Sequence, residues 1–176
     1  QNPVSTNRLQ SDSHALPFLG SSFDLVFSSL MVQWCELETV LGEVYRTLKP
    51  GGQLVMSTLV EGSLNELQQA WSEVDHDQHI HSYVSFDDVK EKVNRFCWSS
   101  TECELITETF WFKNARELAK ELKALGANYV ENRKNKGLMT RSKWQKMEQA
   151  YSDLFQDSSK NAIPASYQVV YINLIK

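Results

Sequence analysis

Ser22-Phe23-Asp24-Leu25-Val26-Phe27-Ser28-Ser29-Leu30-Met31-Val32-Gln33-Trp34, read with Leu48-Lys49-Pro50-Gly51-Gly52, decides the fold. Phe23 to Phe27 is almost wholly apolar, the composition of a strand buried on both faces. Leu37, Val40, Leu41, Val44 and Leu48 then recur at helical spacing. Pro50-Gly51-Gly52 stops that helix and turns the chain into a second apolar strand, Gln53 to Leu59. Strand, helix and strand with short links make a βαβ unit, so the two strands are expected to be parallel. The residues just past the first strand of such a unit are where a ligand meets the sheet.

Outward from this unit the pattern changes. Leu16-Pro17-Phe18 leads into the first strand from a polar start. Leu64, Leu67, Trp71 and Val74 mark one amphipathic helix; Ser85 and Asp88 have the spacing of a capping box for another, with Phe86, Val89, Val93 and Phe96 inward. Cys103 to Phe112 is rich in Thr, Ile, Phe and Trp and reads as a strand. A basic helix follows with Leu118, Leu122 and Leu125 inward and Gly126 as its stop. After the polar loop Glu131 to Gly137, Thr140 is placed to cap a helix burying Trp144, Met147, Tyr151 and Leu154. Ser166 to Ile175 closes the chain as a strand apolar on both faces.

Composition bounds the function. At 176 residues with 41% hydrophobic content, the chain is long enough for one domain with a sizeable core. No apolar run reaches the length of a membrane span, and the polar first residues carry no signal-peptide core. Cys35, Cys97 and Cys103 are too few and too irregular for a disulfide framework or a zinc site, and read as reduced thiols of a cytoplasmic protein. The net charge of −4 hides an asymmetry: residues 113–147 hold ten Lys or Arg against three Glu, a net of +7, and the remainder is −11. A basic segment on an acidic protein points to an acidic partner, with a solvated pair of helices as the plain alternative. The segment has no interleaved aromatic residues, so nucleic acid is not the expected partner.

Leu16-Pro17-Phe18, Ser22 to Val26 and Leu48 to Gly52, in that order and spacing, resemble class I S-adenosylmethionine-dependent methyltransferases. Gln33-Trp34-Cys35, Ser57-Thr58-Leu59, Leu122 to Asn128 and Tyr167 to Tyr171 narrow the resemblance to the BioC family, the malonyl-carrier-protein O-methyltransferases of biotin synthesis. Lys123-Ala124-Leu125-Gly126-Ala127-Asn128 is the more specific signal, because it lies outside the shared methyltransferase core.

The resemblance implies an α/β fold built on a class I methyltransferase, Rossmann-like sheet. It implies a single domain over 1–176 that is part of a longer one and incomplete at its N-terminus, with helical substrate- and partner-facing segments at 60–100 and 113–155. It implies S-adenosylmethionine as cofactor. Asp12 matches the acid that accepts a hydrogen bond from the adenine amine, the backbone of Ser13 meets the adenine edge, and Ser28 lines the methionine part. The departure is a missing glycine-rich loop and ribose-binding acid, since none of the seven glycines forms GxG. If this is the whole polypeptide, weak cofactor affinity and an uncovered edge on the Phe23 strand are expected.

No catalytic base is nominated, because a malonyl carboxylate is already ionised at neutral pH and meets a sulfonium donor. A dry pocket and correct positioning then supply the rate. Gln33, Trp34 and His79 are the acceptor-pocket candidates, Trp34 having a core reading as well. The partner is a malonyl-loaded acidic acyl carrier protein, with Lys123, Arg133, Lys134, Lys136 and Arg141 as docking candidates. One of the arginines would pair bidentately with the malonyl carboxylate. His76, His79 and His81, with Asp75 and Asp77, have the look of metal ligands. They read instead as a polar loop over the site, with no metal, since the family uses none. Methyl transfer to another small acceptor, and a non-catalytic binding scaffold, stay open as alternatives.

Overall fold

The computed structural model describes residues 7–126 and 140–176, and divides them into two compact units. One holds 7–58, 87–104 and 171–176; the other holds 59–86, 105–126 and 140–170.

The first unit contains the expected βαβ. Strand β1 (Phe23–Ser29), a short 3₁₀ turn (Val32–Trp34), helix α1 (Leu37–Thr47) and strand β2 (Leu48–Leu59) follow in order. Strands β1 and β2 pair in parallel, Val26 opposite Leu54 and Ser28 opposite Met56. Helix α1 buries Leu37, Val40, Leu41, Val44 and Thr47, the stripe the sequence implies. Glu36 opens it as an N-cap whose carboxylate accepts from the Glu38 and Thr39 amides at 3.2 and 2.6 Å.

Strand β2 starts earlier than expected. The turn at Pro50-Gly51-Gly52 lies inside the ladder: Phe23 pairs with Leu48 and Leu25 already with Gln53, so the intervening residues bulge. Gly51 takes φ +77° there, which favours glycine. Gly52 leaves no room for a Cβ, which would sit 2.9 Å from the Lys49 carbonyl and 3.1 Å from that of Phe23.

Strand β1 also departs from its reading. It ends the sheet order β1-β2-β4-β3, and Leu25 and Phe27 are 56% and 71% exposed. They share one face by two-residue alternation, and that face is open among the described residues. An apolar run states what a strand can bury, not whether a neighbour covers it. Helix α3 (Phe86–Asn94) completes this unit, with Val89 and Val93 buried. Tyr45 packs edge-on to Trp98, ring centroids 4.9 Å apart.

The second unit is built on helices α2 (Asn65–Ser72), α4 (Ala115–Ala124) and α5 (Arg141–Phe155). Trp71, Leu118, Leu122, Met147, Tyr151 and Ile163 form one buried cluster. Asn114 caps α4 through the Arg116 and Glu117 amides, and Thr140 caps α5 through the Lys143 amide, as its sequence position implies. The Tyr151 hydroxyl donates to the Pro164 carbonyl at 2.7 Å. Leu125 and Leu154, expected inward, are 68% and 51% exposed. Leu125 is the C-cap, past the last turn, where the helical stripe no longer applies. Leu154 lies in the final turn of α5, beyond the buried Met147 and Tyr151. Strands β3 (Ser100–Phe112) and β4 (Ile163–Ile175) run longer than the sequence suggests. The Glu131 to Gly137 loop lies outside the described residues.

Candidate functional site

Asp12 sits in a tight turn. Its Oδ1 accepts from the His14 amide at 2.9 Å and from His14 Nδ1 at 2.8 Å, and its carbonyl accepts from the Ala15 amide. The His14 amide, then its ring, hold the Asp12 carboxyl below the usual carboxylate range. Oδ2 has no partner among the described residues. His14 Nε2 accepts from the Glu36 amide at 3.0 Å. An acceptor nitrogen carries no proton, so Nδ1 is the protonated one and donates to Asp12. Ser13 Oγ lies 3.4 Å from Cys35 Sγ. Residues 12–14 are thereby pinned to the segment that follows Gln33 and Trp34 and opens α1.

The same loop is strapped to α1 further along. Glu43 Oε2 accepts from the Leu16 amide at 2.7 Å, and Arg46 bonds Glu43 and the carbonyls of Leu16 and Phe18. Arg46 holds the Glu43 carboxyl at about 2, and Lys92, followed by Thr39, holds Glu36 at about 2. Both folded values lie below the usual 4.5, so the stability they contribute is present above pH 4.5 and is lost as pH falls towards 2. Melting temperature followed from pH 7 to pH 2 should drop across that window. The double variant Glu36→Gln/Glu43→Gln should melt lower at pH 7 and follow a shallower curve; parallel curves would contradict this assignment.

Gln33 Nε2 donates to the Leu30 carbonyl at 2.7 Å. Trp34 is 40% exposed rather than a core residue. Ser28 Oγ, at the carboxyl end of β1, is buried without a hydrogen-bond partner among the described residues. The structure therefore ties Asp12 and Ser13 to the loop past β1, and leaves Asp12 Oδ2 and Ser28 Oγ without a hydrogen-bond partner among the described residues. His14 and Glu36 were not singled out by the sequence. Their bond joins residues 22 apart in the chain, and only a polar doublet at a helix start hints at it.

His79 belongs to the second unit and lines a cavity of about 370 Å³ there. Its Nε2 lies 2.7 Å from Asp75 Oδ1, and its ring stacks flat on Trp71, centroids 3.8 Å apart and 8° from parallel. Asp75 Oδ2 takes Lys143 Nζ at 2.6 Å. Lys143, and then burial opposed by His79, set the Asp75 carboxyl, with the net effect of holding it far below the carboxylate range. Asp75, Asp77 and His79 bring possible ligand atoms within 4.8 Å of one another. Both Asp75 oxygens are already engaged by protein donors, Lys143 on one and His79 with the Asp77 amide on the other.

Lys123 and Arg141 are exposed, at the end of α4 and the start of α5. Arg133, Lys134 and Lys136 lie outside the described residues. Lys143 and Arg116, two further cations of the basic segment, pair with Asp75 and Glu148. No helix among the described residues is long and apolar enough to cross a membrane.

Comparison with known proteins places these features. The family described as "Methyltransferase domain" matches residues 1–56. The biotin biosynthesis bifunctional protein BioHC of Cellvibrio japonicus is 36% identical over 100% of this chain, which covers 35% of that protein. The malonyl-[acyl-carrier protein] O-methyltransferase of Hamiltonella defensa is 35% identical over 93% of the chain and 60% of its own length. The enzyme of that name from Dechloromonas aromatica is 32% identical over 94% and 62%. The chain thus spans between about a third and under two thirds of these relatives. A putative methyltransferase from Bacillus halodurans superposes with a TM-score of 0.59 at 14% identity, covering 95% of this chain and 70% of that one. The YcgJ protein of Bacillus subtilis does so with 0.59 at 13%, covering 96% and 70%. These two structures bear on the fold alone. The chain has the class I methyltransferase fold and, over nearly its whole length, is similar to the proteins named malonyl-[acyl-carrier protein] O-methyltransferase.

Proposed function

We propose that the protein transfers a methyl group from S-adenosylmethionine to the free carboxylate of a malonyl-loaded acyl carrier protein, an early step of biotin synthesis in the cytoplasm. The observation that carries this reading is 32–36% identity, over 93–100% of the chain, to proteins bearing that name or the name BioHC. When bound, S-adenosylmethionine supplies a methyl group on a sulfonium cation. Asp12 Oδ2, with no partner among the described residues, fits the adenine amine, the Ser13 backbone fits the ring edge, and the buried orphan Ser28 Oγ fits the methionine part. The acceptor carboxylate is already ionised at neutral pH, so the chain's residues need no base. Their work is positioning and the exclusion of water: we assign the acyl pocket beside the methyl position to Gln33 and Trp34, and a border of the substrate cavity to His79.

The carrier is acidic in this reading and meets the face that carries Lys123 and Arg141, with Arg133, Lys134 and Lys136 as further docking candidates in the sequence; neither nucleic acid nor membrane is a partner. Charge reversal at Lys123 and Arg141 should raise the KM for the malonyl carrier about tenfold at low salt, leave kcat unchanged, and lose its effect as salt rises. An unchanged KM at low salt would leave that face merely solvated. The function itself is tested by growth. Expressed in a bacterium that lacks its own malonyl-carrier methyltransferase, the protein should restore growth without biotin. Failure of a well-expressed protein to do so would overturn the reading.

A further inference from the structure

The cavity beside His79 carries a charge pattern that separates the two ends of an acyl-carrier substrate. Glu61, Asp75 and Asp77 line it, and no Lys or Arg does among the described residues. Lys143 offsets the charge of Asp75, and a carboxylate entering would still meet the carboxyls of Glu61 and Asp77. The remaining lining offers a different chemistry. Trp71 and Tyr83 supply apolar ring surface, and Ser63, Gln68 and Ser82 supply neutral polar groups.

Two groups are available for hydrogen bonds. His79 Nε2 is directed at Asp75 and its ring is clamped on Trp71, so the imidazole cannot swing away. Its Nδ1 makes no hydrogen bond among the described residues, and in the neutral ring it is an acceptor. The Tyr83 hydroxyl likewise makes none; burial pushes its pKa up, which keeps it a donor. An acceptor and a donor on an aromatic, acid-lined cavity of about 370 Å³ match a secondary amide, which offers one N–H and one C=O.

We propose that this cavity takes the neutral, amide-bearing pantetheine arm of the acyl carrier and excludes the malonyl carboxylate, with His79 Nδ1 accepting from an amide N–H and Tyr83 donating to an amide carbonyl. This assignment rests on the carrier reading above and adds which part of the substrate the second unit holds.

The test is a titration of the protein, ¹⁵N-labelled at histidine, with pantetheine and separately with malonate. Pantetheine should move the His79 Nδ1 resonance and malonate should not. His79→Ala should weaken pantetheine binding about tenfold, the loss of one hydrogen bond. Tyr83→Phe, which keeps the ring and the fold, should weaken it by a similar factor. Movement of His79 by malonate alone, or by neither probe at millimolar concentration, would overturn the assignment. Methyl transfer to malonyl carrier, measured on the same samples, separates the two readings. Pantetheine binding at His79 without transfer keeps the cavity and sinks the function; transfer without such binding sinks the cavity alone.

Discussion

Trp71→Ala should destabilise the protein by about 3–5 kcal/mol, the range for emptying a buried tryptophan site. Trp71 is 6% exposed and packs in the cluster with Leu118, Met147 and Tyr151 that holds the second unit together. Its ring also faces Trp144 edge-on, centroids 6.3 Å apart, and carries the stacked His79 on the other contact. Truncation therefore opens a void that helices α2 and α5 cannot close without shifting past one another, because the surrounding interior is already closely packed. Small domains are stable by only about 5–15 kcal/mol, so the loss is a large part of the whole. Leu125→Ala is the contrasting variant: at 68% exposure it should change stability by less than about 0.5 kcal/mol. Urea unfolding of the two variants against the parent checks both values. A Trp71→Ala protein within about 1 kcal/mol of the parent would mean that this cluster is not the core of its unit.

Asp12→Ala should weaken the apparent affinity for S-adenosylmethionine about 10- to 100-fold, the range for a hydrogen bond to a charged group. The His14 amide and ring fix Oδ1 and so orient the carboxylate, which leaves the lone pairs of Oδ2 to receive a donor. The clamp is tied to the start of α1 through the Glu36 amide, so the carboxylate is held in place before any ligand arrives. Asp12→Asn, which keeps one acceptor oxygen, should lose less. Asp12 is a surface residue with a side chain 67% exposed, so neither variant should unfold the protein. Equal affinity for parent and Asp12→Ala would remove Asp12 from the cofactor site.

Much of this was legible in the sequence, for local reasons. The stripe Leu37, Val40, Leu41 and Val44 carries the helical period, Thr140 precedes a helix as a cap, and Pro50-Gly51-Gly52 marks the turn. Each of those signals is written within a few residues. What escaped depends on distance. The openness of Leu25 and Phe27 depends on what lies over β1, and the outward turn of Leu125 and Leu154 on where the core ends. The His14–Glu36 bond closes over 22 residues and the Lys143–Asp75 pair over 68. Lys143 shows the consequence for charge reading: counted as one more cation of a basic segment, it is tied to a carboxylate beside His79. Net charge along a segment says how many cations are present, and only the fold says which of them face a partner.

The most direct test of the central claim is the mass of a malonyl-loaded acyl carrier protein after incubation with this protein and S-adenosylmethionine. The carrier should gain the mass of one methylene group on its malonyl moiety, as a methyl ester that mild base removes, and an acetyl-loaded carrier, which lacks the free carboxylate, should gain nothing. A malonyl carrier of unchanged mass, under conditions where the protein consumes S-adenosylmethionine on another acceptor, would contradict the account.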